Sequence, residues 1–129
     1  MALRYNTALI NELVSTFEGF EGGDLEIYTG TQPATANTAA SGTLLATIVL
    51  PADAFNAASN GVLSKNGTWD DTVDATGTAG WARLSNGAIS MDMNITATGD
   101  GGEITLDNIS LITGGTVTVS TFNITQPAS

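Results

Sequence analysis

The sequence predicts a mainly β protein, an antiparallel β-sandwich of jelly-roll type with one N-terminal amphipathic helix. Short segments of alternating apolar and polar residues, separated by turn residues, recur from residue 25 onward. One segment near the N-terminus has apolar residues at helical spacing, and no segment of helix length lies between the predicted strands. Parallel βαβ units are therefore excluded. We divide the chain into a helix with a flexible joint, residues 1–24, and one sandwich domain, residues 25–129.

The predicted helix runs over Thr7–Glu18. Its apolar stripe has residues four positions apart, namely Leu9, Leu13 and Phe17. Asn6 or Thr7 can cap the first turn, and Gly19 suits a left-handed stop. Two interpretations stay open: the helix covers an open end of the sandwich, or its stripe docks on a partner subunit.

The first predicted strands flank a long loop of small residues. Leu25–Thr29 alternates as a half-buried strand does, whereas Thr43–Leu50 is nearly apolar throughout and is predicted to be a central strand covered on both faces. Gly30 and Pro33 end the first strand and mark the start of the loop between the two strands. Downstream, Phe55 is predicted to anchor an irregular segment to the core.

Two hairpins are predicted in the middle of the chain. Lys65-Asn66-Gly67 is expected to join strands 61–64 and 68–73. Asn86-Gly87 is expected to join strands 77–84 and 88–96, because both of its residues tolerate positive φ.

The C-terminal part predicts three more strands, 103–106, 109–112 and Thr116–Thr125. The last of these points Val117, Val119, Phe122 and Ile124 inward, which requires a one-residue slip near Thr121. We interpret the slip as a β-bulge.

Composition excludes several function classes. Three basic and 13 acidic residues give a formal net charge of −10, so the chain is expected to repel nucleic acids and anionic membranes. No apolar leader segment or bilayer-length apolar run is present, and we expect synthesis in the cytoplasm. Histidine and cysteine are absent, which removes the usual general base and the thiolate metal ligands. We predict neither an enzyme nor a cofactor.

One acidic segment could in principle bind calcium. Asp70, Asp71 and Asp74 offer carboxylate oxygens, but their spacing fits no EF-hand loop, and solvated carboxylates are the simpler interpretation. Trp69 beside two aspartates could also form a sugar-binding platform, whereas Trp81, in the middle of a strand, is expected in the core. A carbohydrate- or calcium-dependent binding module therefore stays open as an alternative.

The motifs around the long loop resemble small structural proteins of tailed bacteriophages. In those proteins a strand, a Gly-x-x-Pro turn and a Gly-Thr-Leu-Leu-Ala strand occur in this order, as in 25–33 and 41–47 here. An Ala-Phe segment, a Gly-Thr-Ala-Gly-Trp-Ala-Arg-Leu strand and an Ile-Thr-Leu-Asp-Asn segment follow, here at 54–55, 77–84 and 104–108.

The resemblance implies a virion structural protein, a capsid decoration or cement protein on the outer capsid surface. It implies a homotrimer that binds the major capsid protein and stabilises the head. A role in the tail or neck stays open. We expect the protein contacts to come from Leu9, Leu13 and Phe17 of the helix or from the loop 31–41, beginning with Thr31, Gln32 and Pro33.

Overall fold

The computed structural model describes residues 6, 8, 9, 11, 12, 16–59, 62–87, 89–97 and 104–125. With 51% strand and 8% helical residues, it confirms a mainly β protein. The strands form a single sheet that curls into a half-barrel. The two-sheet jelly roll stays a prediction.

Nine strands make up this sheet. In chain order they are β1 Asp24–Thr29, β2 Leu44–Val49, β3 Val62–Ser64, β4 Asp70–Thr72, β5 Gly77–Asn86, β6 Ile89–Ala97, β7 Ile104–Leu106, β8 Ser110–Leu111 and β9 Thr116–Thr125. Their order in the sheet is β2-β1-β5-β6-β7-β9-β3, while β4 pairs with β9 and β8 with β5. Among the described strands, β6 and β7 pair parallel and all other pairs are antiparallel. The prediction of a purely antiparallel arrangement is wrong at β6–β7.

The β5–β6 hairpin is confirmed, with its turn displaced by one residue. Asn86 pairs with Ile89, so the turn lies one residue later than predicted and includes Gly87. Gly87 has φ 64°, the left-handed conformation that such a turn requires. The Asn86 side chain instead donates hydrogen bonds to the carbonyl oxygens of Gly19 and Glu21, at 2.8 and 3.2 Å.

The hairpin predicted at Lys65-Asn66-Gly67 is wrong. β3 and β4 do not pair with each other, because both pair with β9, one after the other along its length. Between them the Lys65 amide donates to the Phe122 carbonyl at 3.1 Å, and the Val119 amide to the Trp69 carbonyl at 3.0 Å. The Asn-Gly segment here separates two short strands, β3 and β4, that pair one after the other with the long strand β9. Pairing with β9 replaces the local hairpin.

The prediction that residues 43–50 form a central strand is also wrong. β2 pairs only with β1 and lies at one end of the sheet order. Its buried apolar residues are Leu45, Ala46 and Ile48, and the neighbours Leu45 and Ala46 are both buried because the register with β1 shifts at Leu45. The other apolar residues of the run, Leu44 and Val49, are 38% and 66% exposed.

β9 matches its predicted bounds and its predicted bulge. Thr105 pairs with Thr121 and Leu106 with Val119, so Ser120 is the extra residue. The slip keeps Val117, Val119 and Phe122 on the core side, with at most 1% exposure. The side chain of Ile124 lies outside the described residues.

The core is centred on aromatic contacts. Trp69 is fully buried, with its ring centroid 5.5 Å from that of Phe55 and 5.0 Å from that of Phe122. Phe55 therefore anchors its segment to the core as predicted. The Glu21 carboxylate supports this segment by accepting a 2.8 Å hydrogen bond from the Ala54 amide.

The N-terminal helix prediction is only partly covered. Residues 8, 9, 11 and 12 are helical, and Asn6 caps them by accepting a 2.9 Å hydrogen bond from the Leu9 amide. Thr16–Phe20 forms a 3₁₀ helix instead of a last α-helical turn, and Gly22, with φ 75°, takes the left-handed conformation predicted for Gly19. The remaining residues of Thr7–Glu18 lie outside the described set. Within the described part of the chain, no helix is long and apolar enough to cross a membrane.

Candidate interaction surface

The outer face of the sheet carries an aromatic pair opposite the core. Tyr28 and Trp81 are register partners on β1 and β5, and their rings stack with centroids 4.7 Å apart and an interplanar angle of 15°. Trp81 is fully buried, yet it lies outside the core cluster. The expectation of a core tryptophan is thus right about burial and wrong about the face.

Arg83 lies on the same outer face and contacts three elements at once. Its Nε and Nη2 atoms donate to the two carboxylate oxygens of Asp92 on β6, at 2.7 and 3.0 Å. Nη2 also donates to the carbonyl oxygen of Thr38 in the loop, at 2.7 Å. The guanidinium carbon lies 5.4 Å from the centroid of the Trp81 ring, within cation–π range. The planar guanidinium can satisfy these directions together, which a lysine ammonium cannot.

The ion pair between Arg83 and Asp92 is largely buried, so losing one partner should destabilise the fold. The Arg83 and Asp92 side chains are 13% and 4% exposed. The hydrogen bond to Asp92 raises the pKa of Arg83 above its ordinary value, so the arginine stays charged throughout the accessible pH range. Burial, and then the negative charge of Glu26, raise the pKa of Tyr28 above its ordinary 10.0.

The loop is also fixed at its two ends. The Thr29 amide donates to the Thr43 carbonyl at 3.1 Å, and the Thr43 amide donates to Thr29 Oγ1 at 2.9 Å. At Gly80 the backbone of β5 passes so close to Gly30 that a Cβ would overlap the Gly30 carbonyl oxygen. A Cβ on Gly42, whose φ is 88°, would overlap the Thr29 carbonyl oxygen. Glycine is required at both close approaches.

The loop 31–41 is hydrogen-bonded to the sheet on one side and presents an uncharged surface to solvent on the other. None of residues 31–41 is charged. Inside the loop, the Thr38 amide donates to the Thr35 carbonyl at 3.1 Å. Its exposed residues are Thr31, Ala34, Thr35, Asn37, Thr38, Ala39, Ala40 and Ser41.

The residues predicted to make protein contacts are placed differently from one another. In the helical segment, Leu9 is 42% exposed. Phe17 is half-buried, packs against the core and stacks on Phe20 at 6.3 Å. Leu13 lies outside the described residues. In the loop, Thr31 is exposed, while Gln32 and Pro33 are half-buried. The later part of the loop is therefore more exposed than its beginning.

The alternative of a sugar platform at Trp69 is wrong, because this indole is fully buried among core aromatics. The neighbouring aspartates do not converge either. Asp70 and Asp71 are consecutive residues of β4 and point to opposite faces, and Asp71 accepts a 2.7 Å hydrogen bond from the Thr72 amide. Among the described residues, no group of three acidic, histidine or cysteine side chains could hold a metal ion.

A polar groove of about 280 Å³ lies along β3 and β9, lined by Ser64, Lys65, Ser120, Thr121, Phe122 and Asn123. The Lys65 ammonium donates to the carbonyl of Gly67 at 2.8 Å. The groove thus offers hydroxyl groups and one lysine engaged with the backbone.

Sequence reasoning did not identify the roles of Arg83 and Asp92. The signal depends on the turn, because the predicted Asn86-Gly87 turn places Ser90 opposite Arg83, whereas the observed turn, one residue later, places Asp92 there. Opposite charges on facing strand positions stabilise each other. The contact with Thr38 has no comparable signal, since 45 residues separate it from Arg83.

Comparison with known proteins yields no match to a family model, a curated protein or a solved structure.

Proposed function

We propose that this chain is a structural protein of a tailed-bacteriophage particle, a capsid decoration protein that binds the major capsid protein as a homotrimer on the outer surface of the head. The sequence motifs that resemble such proteins motivate the proposal. The proposal includes a sandwich fold of jelly-roll type. The observation that carries it is the loop 31–41, fixed to the sheet by Arg83 and exposed on its other side.

The loop suits a contact surface for a physical reason. A segment already fixed by Arg83 and by Thr29–Thr43 loses little conformational entropy when a partner covers it. Because residues 31–41 carry no charge, covering them requires no desolvation of ions, although the whole chain has a net charge of −10. The remaining acidic surface faces solvent and keeps the particle exterior hydrated.

Co-sedimentation with expanded phage heads tests this proposal, together with light scattering for the oligomeric state. Ala39→Glu and Ala40→Glu place a charge on exposed loop residues that make no anchoring contact. Ala57→Glu, another exposed alanine, is the matched control. We expect the wild type and Ala57→Glu to sediment with heads and the two loop variants to stay in the supernatant. A wild-type monomer that does not bind heads would overturn the proposal.

A further inference from the structure

Three asparagines of this protein directly precede a glycine, namely Asn60, Asn66 and Asn86. Asparagine is a thermolabile residue, because its side-chain amide can be lost as ammonia. The backbone nitrogen of the next residue starts this reaction by attacking the side-chain carbon Cγ, and a glycine has no Cβ to hinder the attack. Asn60 lies outside the described residues. Asn66 and Asn86 have the same local sequence signal, but their surroundings in the fold differ.

Asn86 is held in place by its neighbours. It lies in the ladder of the β5–β6 hairpin, and its amide group donates to the carbonyl oxygens of Gly19 and Glu21 at 2.8 and 3.2 Å. The backbone of Gly23 lies so close that a Cβ there would overlap the Cβ of Asn86. Turning this side chain toward the Gly87 nitrogen would break both hydrogen bonds and move a closely packed group.

Asn66 is less restrained. It lies between β3 and β4 and belongs to neither strand, and Gly67 after it is exposed, with φ 77°. The side-chain amide of Asn66 donates to the backbone carbonyl and to the carboxylate of Asp53 at 3.1 and 3.3 Å, and Asp53 is itself exposed. The Lys65 ammonium bonds to the carbonyl of Gly67, at 2.8 Å. Among the described residues, no acceptor takes the Gly67 amide, so no hydrogen bond of the described fold holds the attacking nitrogen.

We propose that Asn66 is a site of spontaneous deamidation, and that the carboxylate formed there opposes the carboxylate of Asp53. The Gly67 nitrogen forms a bond to Cγ of Asn66, and the side-chain nitrogen leaves as ammonia with the proton of the Gly67 amide. Water then opens the resulting succinimide and returns a proton to the Gly67 nitrogen. Opening at Cγ gives aspartate, and opening at the backbone carbonyl carbon gives isoaspartate. Water is the only other reactant, and nothing is oxidised or reduced.

The product changes the contacts that hold residues 53–55. In the native protein Asn66 binds this segment twice, because its backbone amide donates to the Ala54 carbonyl at 2.7 Å and its side chain donates to Asp53. A carboxylate at position 66 cannot donate to either oxygen of Asp53, and it places two like charges at hydrogen-bonding distance. Isoaspartate also lengthens the backbone beside the bond to Ala54. Deamidation should therefore loosen the segment that anchors Phe55 in the core.

Peptide mapping by mass spectrometry, during incubation of the purified full chain in mildly alkaline buffer, tests the site. Cleavage after Lys65 and Arg83 places the three asparagine–glycine pairs in separate peptides. We expect Asn66 in the folded chain to lose ammonia several-fold faster than Asn86 and to give both aspartate and isoaspartate. In concentrated urea the two rates should become similar, because unfolding removes the contacts that hold Asn86. A folded chain in which Asn86 reacts as fast as Asn66, or in which Asn66 does not react, overturns the proposal.

Thermal melting of variants tests the consequence separately. Asn66→Asp reproduces the aspartate product, whereas Asn66→Ala removes the same side-chain hydrogen bonds without adding a charge. We expect Asn66→Asp to melt at a lower temperature than Asn66→Ala. Adding Asp53→Asn to Asn66→Asp should recover part of the loss, because an amide then faces the carboxylate. Asn37→Asp, at an exposed residue of the loop 31–41, is the control for added charge and should melt as the wild type does.

An Asn66→Asp protein as stable as Asn66→Ala, or one that Asp53→Asn does not improve, would contradict the opposition of the two carboxylates. If Asn66→Asp does not fold, peptide mapping of the wild type still decides whether Asn66 reacts first. Both measurements use the purified chain alone, so neither depends on the proposed capsid function.

Discussion

The Arg83 guanidinium donates a 2.7 Å hydrogen bond to the Thr38 carbonyl and thereby joins the strand β5 to a loop 45 residues earlier in the chain. Arg83 is one of only three basic residues, and it is engaged with Asp92, Thr38 and the Trp81 ring together. This side chain joins the middle of the loop to the outer face of the sheet, which makes Arg83 the first residue to test.

Replacing Arg83 should destabilise the protein and release the loop. Arg83→Ala leaves the Asp92 carboxylate, 4% exposed, without its partner, and we expect a loss of about 3–5 kcal/mol in the free energy of unfolding. The free energy of unfolding of Arg83→Lys should lie between those of the wild type and Arg83→Ala, because an ammonium keeps the charge but cannot donate in two parallel directions as the guanidinium does. Urea unfolding gives the energies, and hydrogen exchange at Thr38 reports on the loop. Lys65→Ala, a control that also removes a basic residue, should cost under about 1 kcal/mol; equal losses for Arg83→Ala and Lys65→Ala would contradict this account.

Gly80→Ala should be poorly tolerated, because its Cβ overlaps the Gly30 carbonyl oxygen and forces the loop away from β5. Overpacking of this kind costs roughly 1–3 kcal/mol, and more where the backbone cannot shift. Gly19→Ala is the control, since its Cβ meets only Ile89 Cδ1 at an ordinary 3.5 Å. Thermal melting of the two variants compares them directly. A Gly80→Ala protein as stable as Gly19→Ala would show that the close approach to Gly30 is dispensable.

The buried side of β2 should contribute strongly to stability although the strand lies at the end of the sheet. Leu45→Ala and Ile48→Ala each remove a fully buried side chain, and we expect each to cost about 2–5 kcal/mol. Val49→Ala, on the same strand but 66% exposed, should change stability by less than about 0.5 kcal/mol. Denaturant midpoints with matched slopes provide the test. Losses below half a kcal/mol at both buried positions would mean that β2 does not pack as described.

Alkaline pH should weaken the fold through Tyr28. Its pKa is raised in the folded state by burial and by Glu26, so the folded protein holds the phenolic proton more tightly than the unfolded chain does. The resulting stability is fully present below the unfolded pKa, about 10, and is lost as the pH rises through the higher folded pKa. We expect the free energy of unfolding to fall more steeply above about pH 10 in the wild type than in Tyr28→Phe. Tyr5 is present in both proteins, so parallel pH curves would exclude this role for Tyr28.

Removal of metal ions should leave the melting temperature unchanged. Asp70 and Asp71 point to opposite faces of β4, so neither can complete a calcium site with the other. Melting in EDTA and in millimolar calcium should give the same midpoint. A calcium-dependent rise that disappears in Asp74→Asn would instead support a metal-dependent module.

Local patterns predicted the elements whose pairing is also local. The β5–β6 hairpin follows from an Asn-Gly turn between alternating segments, and β9 follows from its own alternation, which even reveals the bulge at Ser120. In both cases the residues that decide the structure are neighbours in sequence. The error at Lys65-Asn66-Gly67 has the opposite cause: the turn signal is genuine, but β9 pairs with both flanking strands.

The sequence by itself determined the mainly β class, most strand positions, the buried side of β9 and the uncharged character of the loop 31–41. These depend on side-chain alternation, turn residues and composition, which are properties of short segments. Only the tertiary structure decided that β2 is an edge strand, that Trp81 lies on the outer face and that Arg83 holds the loop through Thr38. Alternation tells which residues share a face, but not which strand lies beside which, and the loop contact spans a separation over which sequence spacing carries no geometric constraint.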